Sequence, residues 1–295
     1  MRHSLHLHCL AAVALLFAAR SNAQESNAYF FVQLADTQFG FHTEDRDFAQ
    51  ETAEFEFVIA NLNRLRPAFV VVCGDLVNKP GDPAQTAEYL RIAAKLDRSI
   101  PLYNVPGNHD IGNEPTPESL AVYRAKFGKD YYTFRHGDLM GIVLNSGLMK
   151  APAKVTDEAA TQEAWLKEQL AQARTGDVRH VLVFLHHPYF LQQPDEASQY
   201  FNIPTETRRA HLERFNSAGV RHVFAGHYHR IRVGKAGDLE MVTSGPVGKP
   251  LGDDPSGIRV VIVRPTGIEH RYFSLGAIPN QIQLTPAPRG STPAH

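Results

Sequence analysis

Five short polar segments, each following directly on an apolar run, constrain this chain more than any other feature. They are "ADTQ" with Asp36 and Gln38, "CGDLVN" with Gly74 and Asp75, "PGNHD" with Asn108, His109 and Asp110, "LHHP" with His186 and His187, and "AGHYH" with His227 and His229. The runs before them, such as "YFFVQLA" and "AFVVVC", read as strands buried on both faces. Open α/β sheets place their ligands at the carboxyl ends of strands, so five such ends can converge on one rim. Singly, each segment has a plain explanation: a Gly-Asp turn, a hydrogen-bonded loop, a pair of histidines before proline, a lone H-x-H. The set, in this order and always at a strand end, points to a polar site.

Elsewhere, short apolar runs alternate with amphipathic stretches. Strands are expected at 29–35, 68–73, 100–105, 131–136, 139–145, 180–185 and 220–225. A closing set at 231–233, 239–244, 258–264 and 268–274 has no helix among its members. Helices are expected at 46–65, 83–97, 117–127, 157–174 and 205–218. Asp82-Pro83 and Thr116-Pro117 each pair an N-cap residue with proline at the first helical position. Strands alternating with helices, then a run of strands, argue for an α/β chain with mixed sheets. No repeat or linker interrupts 28–276, which reads as one domain. The Pro-, Ser- and Thr-rich tail, 277–295, is expected to be disordered.

The first 23 residues read as a secretory signal: Arg2, the apolar stretch 9–19, and "SNA" ending at Ala23. Its 11 apolar residues fall short of the roughly 20 a membrane span needs, and no later stretch is long enough. An exported protein, periplasmic or extracellular and without stable membrane insertion, is the expectation. Without Arg2 and Arg20 the chain keeps 28 basic against 31 acidic residues, which is no footprint for nucleic acid. Removing Cys9 with the signal leaves Cys73 alone, so stability rests on the core and on any bound metal, with Cys73 as a small buried residue.

The ordered set D-x-(H), GD, GNH(D), H, GHxH resembles the signature of the calcineurin-like metallophosphoesterases. "ADTQFG", "GDLVNKPGDP", "GNHDIGNEPT", "AGHYHR", and "DPSGIRVVIV" followed by "HRYFSL" resemble one branch, the calcineurin-like phosphoesterase domain-containing protein 1 type. The resemblance runs from about residue 29 to about residue 276. It implies a four-layer α/β/β/α sandwich of two mixed sheets around a dinuclear centre. It also implies hydrolysis of phosphate monoesters, on a small phosphorylated molecule or a phosphoprotein bearing phosphoserine or phosphothreonine, by in-line attack of a hydroxide bridging two metals. A phosphodiesterase and a non-catalytic phosphoester-binding module are the alternatives. Oligomeric state is not legible.

Carried over position by position, the pattern assigns Asp75, Asn108, His186 and His227 to one divalent metal. Asp75, Asp36, His229 and Gln38 go to the other, with Asp75 bridging. His227 and His229 are two apart, as are Asp36 and Gln38, and on an extended segment such residues face one way. His109 is the expected proton donor to the leaving oxygen, and Asp110 is expected either to orient it or to serve as a helix cap or turn residue. His187 is expected to pack against the loop that follows it, and His42 is the alternative to Gln38 as a ligand. Gln38 stands where most of the family has histidine, and the branch it resembles carries glutamine there too. A hard oxygen donor favours Mn²⁺, with Mg²⁺, Fe and Zn²⁺ as alternatives. Loop 188–204 has two readings: its aromatics wall the site, or they anchor the loop to the core.

Overall fold

The computed structural model describes residues 28–284 except Gly176, so the signal expected at 1–23 lies outside the described residues. Among the described residues, eleven strands make two mixed sheets. The first has the order β11 (Gly267–Ser274), β10 (Gly257–Arg264), β1 (Tyr29–Leu34), β2 (Val70–Cys73), β3 (Leu102–Val105). Strands β1, β2 and β3 run parallel, while β10 pairs antiparallel with β1 (Phe31 opposite Val261) and with β11. The second sheet has the order β4 (Tyr132–His136), β5 (Leu139–Val143), β6 (His180–Phe184), β7 (His222–Ala225), β9 (Leu239–Thr243), β8 (Arg232–Ala236). Its central pairs β5–β6, β6–β7 and β7–β9 are parallel, and both edges are closed antiparallel.

Side-chain alternation along the strands builds the layers. In β1, Phe30, Val32 and Leu34 face a helical layer, while Phe31 and the following Ala35 face the other sheet. In β6, Val181 and Val183 face helices, and Leu182 and Phe184 face inward. The inter-sheet layer is rich in phenylalanine: Phe31 stacks on Phe69 and meets Phe184 and Phe224 edge-on. Cys73 lies in this layer, buried and unpaired with another cysteine, as expected. Outside the first sheet lie α1 (Ala49–Leu65), α2 (Pro83–Ala93), the one-turn α3 (Asn108–Ile111) and α4 (Pro117–Phe127). The one-turn α5 (Gly147–Lys150) joins the two helical layers, with Leu148 in the first and Met149 against the second, and outside the second sheet lie α6 (Thr156–Thr175) and α7 (Thr205–Ser217). The result is the expected α/β/β/α sandwich.

Both N-cap expectations hold. Asp82 accepts from the amides of Ala84 and Gln85, and Thr116 accepts from that of Ser119. Helix α1 starts three residues later than expected, because Thr43 and Asp47 tie 43–47 into a turn of their own. The tail expectation is corrected for its first part. Ile278, Ile282 and Leu284 pack against the core on the first sheet's helical side, and Arg64 donates to the carbonyls of Pro279 and Asn280. Three apolar residues at that spacing outweigh the polar composition around them. Among the described residues, no helix is long and apolar enough to cross a membrane.

Candidate metal centre

The loops after β1, β2 and β3 meet those after β6 and β7 on one edge of the sandwich. They are stitched across the sheets. The backbone N–H of His227 donates to both carboxylate oxygens of Asp36, at 3.0 and 3.1 Å, and His186 Nδ1 donates to the Cys73 carbonyl at 2.9 Å. Small residues permit this closeness. A Cβ on Gly107 would sit 2.1 Å from Asp75 Oδ1, and one on Gly226 would sit 2.6 Å from Asp36 Oδ2. The glycines of "PGN" and "AGH" are therefore part of the site's packing.

Asp36, Gln38, Asp75, Asn108, His186, His227 and His229 are all buried there. Their geometry corrects one piece of the sequence reasoning. Asp36 and Gln38, like His227 and His229, converge without being extended: all four, and Asp75, have positive φ, between 41° and 68°. Left-handed backbone costs an L-residue of order 1–2 kcal/mol, and Asp and His are among the types that tolerate it best. The surrounding ladder holds it in place: Asp36 N–H donates to the Gly74 carbonyl and Gln38 N–H to that of Asp75.

Two groups of donors emerge: Asp75 with His186 and His227, and Asp75 with Asp36 and His229. Within each, the donor atoms lie within 4.8 Å of one another, and Asp75 belongs to both. Asn108 Oδ1 is 3.0 Å from His186 Nε2 and joins the group of His186 and His227, the second site, while Asp36 and His229 belong to the first. Each imidazole is held by a main-chain carbonyl, which fixes the nitrogen left for a ligand. His186 Nδ1–H is taken by Cys73, and His229 Nδ1–H by the Lys249 carbonyl at 2.6 Å, so both present Nε2. His227 Nε2 lies 3.4 Å from the Tyr200 carbonyl, which leaves Nδ1. Gln38 Nε2 donates to Asn78 Oδ1 at 3.2 Å, while its Oε1 is buried with no donor among the described residues. An orphaned buried oxygen beside two buried carboxylates and three oriented imidazoles fits a pair of divalent cations.

The electrostatics agree. Burial, offset in part by His186 and reinforced by Asp75, pushes Asp36 well above the usual carboxylate range. Burial acts the same way on Asp75, but His186, His109 and His227 outweigh it and hold Asp75 well below that range. Burial lowers His186 as well, yet Asp75 and Asp36 outweigh it and raise the ring to about 9. Burial takes His229 down to about 4 and His227 well below its ordinary value. Near pH 7, His227 and His229 are thus neutral and ready to ligate, whereas His186 must lose a proton. Mn²⁺ uptake there is expected to release the proton that His186 holds. Its apparent affinity should climb by up to about tenfold per pH unit and level off above about pH 9. Calorimetry in buffers of differing ionisation heat measures this, and a pH-independent affinity would contradict it.

His109, half-buried, stands beside the bridging position. Its backbone N–H donates to Asp75 Oδ1 at 2.9 Å, and its Nδ1–H to the Asn78 carbonyl at 2.6 Å. Of the two readings of Asp110, the one that orients His109 is corrected and the helix cap holds. The Asp110 carboxylate instead accepts from the amides of Leu76, Val77 and Gly107, at 2.9, 3.2 and 2.7 Å, and so closes the first turn of α3. Asn78, three residues after Asp75 in "GDLVN", orients His109 through a main-chain atom that residue type does not reveal. His187 hydrogen-bonds Ser146 at 2.9 Å and packs its ring 4.2 Å from that of His227, so it supports a ligand. His42 Nε2 pairs with Glu54 at 3.3 Å and belongs to neither donor group.

Both readings of loop 188–204 hold, for different residues. Tyr189 and Phe190 are fully buried anchors. Tyr200 and Phe201 wall the site, with ring centroids 5.0 and 5.5 Å from that of His227. The Tyr200 hydroxyl lies 3.4 Å from Asn108 Nδ2. Opposite, Phe41 lies against His229 and His109, with Lys249 Nζ over its face.

Residues 31–230, which contain every one of these metal-centre side chains, match the family model for calcineurin-like phosphoesterases. The chain belongs to that family. It is 40% identical to the human serine/threonine-protein phosphatase CPPED1 over 88% of each chain, and 38% identical to the zebrafish protein of that name over 85% of this chain and 86% of the relative. Among solved structures, the purple acid phosphatase PPD1 of yellow lupin superposes with a TM-score of 0.66 at 13% identity, covering 85% of this chain and 52% of that one. A dimetal phosphatase from Danio rerio gives 0.55 at 18% identity, covering 83% and 99%. At such identities these two speak for the fold alone. The chain is a metallophosphoesterase, a hydrolase of phosphate esters.

Proposed function

We propose that the chain hydrolyses phosphate monoesters, with phosphoserine or phosphothreonine of a protein or peptide as the substrate class. The observation that carries this reading is the 40% identity, over 88% of both chains, to a protein named as a serine/threonine phosphatase. The half-exposed wall of Tyr200 and Phe201 beside Asn108 suits a substrate larger than a metabolite. The signal read at the N-terminus supports a substrate outside the cytoplasm.

Asp36, Gln38, Asp75 and His229 would hold one cation, and Asp75, Asn108, His186 and His227 the other. Such a pair neutralises phosphoryl oxygens and makes water nucleophilic at neutral pH. Asn108, a neutral ligand, keeps the protein's own negative charge low where phosphate must bind. His109 keeps its Nδ1–H on Asn78 and is placed to offer an Nε2 proton to the leaving oxygen.

Gln38 brings oxygen where histidine would bring nitrogen, which supports Mn²⁺ as the resident ion. Gln38→His is expected to tighten the first site and shift its preference toward Zn²⁺, as read by competitive metal titration. Unchanged preference would remove this argument for Mn²⁺. The function itself is tested by initial rates with Mn²⁺ on p-nitrophenyl phosphate, bis-p-nitrophenyl phosphate and a phosphoserine peptide. Faster monoester and peptide turnover supports the proposal. Faster diester turnover replaces it with a phosphodiesterase, and binding without turnover replaces it with a phosphoester-binding module.

A further inference from the structure

The Gln38 amide can face the site with either end, and only its oxygen can hold a cation. Which end faces inward is decided by neighbours. Gln38 Nε2 donates to Asn78 Oδ1. That bond requires Asn78 to present its oxygen, and the Asn78 amide is fixed in turn. Its Nδ2 donates at 2.8 Å to Asp45 Oδ1, and a carboxylate can only accept. Asp45 Oδ1 also receives Gln85 Nε2 at 2.7 Å. Gln85 cannot turn over, because its Oε1 accepts the backbone N–H groups of Asn78 and Lys79 at 3.0 and 2.9 Å. Gly40, at φ +106°, makes room for this knot: a Cβ there would lie 2.5 Å from Gln85 Nε2 and 2.8 Å from Asp45 Oδ1. Every amide in the chain of bonds is therefore referred to an atom with one role, a main-chain N–H at one end and a carboxylate at the other.

We propose that Asp45, acting through Asn78, is a positioning residue that fixes Gln38 as an oxygen ligand, with Oε1 toward the metal centre. The proposal rests on the metal-dependent reading above. It makes the orphaned Oε1 a consequence of the bonding pattern rather than an unsatisfied atom, and it extends the site to an exposed acid outside the signature motifs. Asn78 then serves both halves of the site, aiming Gln38 with its side chain and His109 with its carbonyl.

The test is titration with Mn²⁺ alone, by calorimetry and electron paramagnetic resonance, on purified protein. Asn78→Ala is expected to weaken the first Mn²⁺ site by about 10–100-fold, the range typical of lost outer partners, and to leave the second site unchanged. Asp45→Ala should weaken the same site by about three- to tenfold, since water takes the vacated place at this exposed position. A change of sign separates positioning from general structural damage. The carboxylate introduced by Gln38→Glu has an oxygen at both ends, and one of them would face Asn78 Oδ1. In that background Asn78→Ala should therefore strengthen the first site or leave it unchanged. An equal loss in both backgrounds, or an Asp45→Ala protein that matches wild type, overturns the proposal while leaving the metal-dependent function standing. A wild-type protein that binds fewer than two Mn²⁺ overturns both.

Discussion

Asp75→Asn is expected to strip both metals from the protein and to lower kcat/KM by more than about 10³-fold, a loss of several kcal/mol of charge stabilisation at one factor of ten per 1.36 kcal/mol. Asp75 is the only residue in both donor groups. Its carboxylate is fully buried, with Oδ1 accepting the His109 N–H and Oδ2 3.2 Å from His186 Nε2. Asparagine is neutral and has one oxygen. If that oxygen keeps the His109 N–H, its NH₂ group points at His186 and at any cation there. His186 also loses the charge that does most to hold its pKa at about 9. Asp36→Asn, by contrast, alters one group and is expected to cost the first metal alone. Metal content per chain after dialysis, measured beside kcat/KM, distinguishes the two variants. An Asp75→Asn protein that retained two metals would show that Asp75 does not bridge.

This centre was legible in the sequence to an unequal degree, for physical reasons. Asp36, Asp75, Asn108, His186, His227 and His229 could be named because each follows an apolar strand, and strand ends are where such sheets place polar side chains. The alternation of strands and helices made mixed α/β sheets legible, while the four layers followed from the family resemblance. The backbone that makes the ligands converge was not legible. Alternation along an extended segment gives the right partners for Asp36 and His227 by the wrong route, since both pairs are left-handed. The carbonyls of Cys73, Lys249, Tyr200 and Asn78 aim four histidines, yet a main-chain oxygen carries no residue signature. Asp110 carried two readings, and sequence adjacency to His109 suggested the one that fails. On a one-turn helix adjacent side chains diverge, and a carboxylate near an N-terminus finds amides first.

His109→Ala is expected to lower kcat by about 10²–10⁴-fold on a phosphoserine peptide, the usual contribution of a positioned general acid, with both metals still bound. No donor group includes His109, and its side-chain bond runs to Asn78, so its removal leaves the ligands in place. The size of the loss should follow the leaving group. A serine alkoxide is strongly basic and needs a proton as its bond to phosphorus breaks. A p-nitrophenolate leaves nearly unaided, so on p-nitrophenyl phosphate the same variant should lose far less. KM should change little on either substrate, because a proton transferred only in the transition state contributes nothing to ground-state binding. Equal losses on both substrates, with metals retained, would instead make His109 a residue that binds the phosphoryl group. A loss confined to KM would move it to the substrate wall with Tyr200.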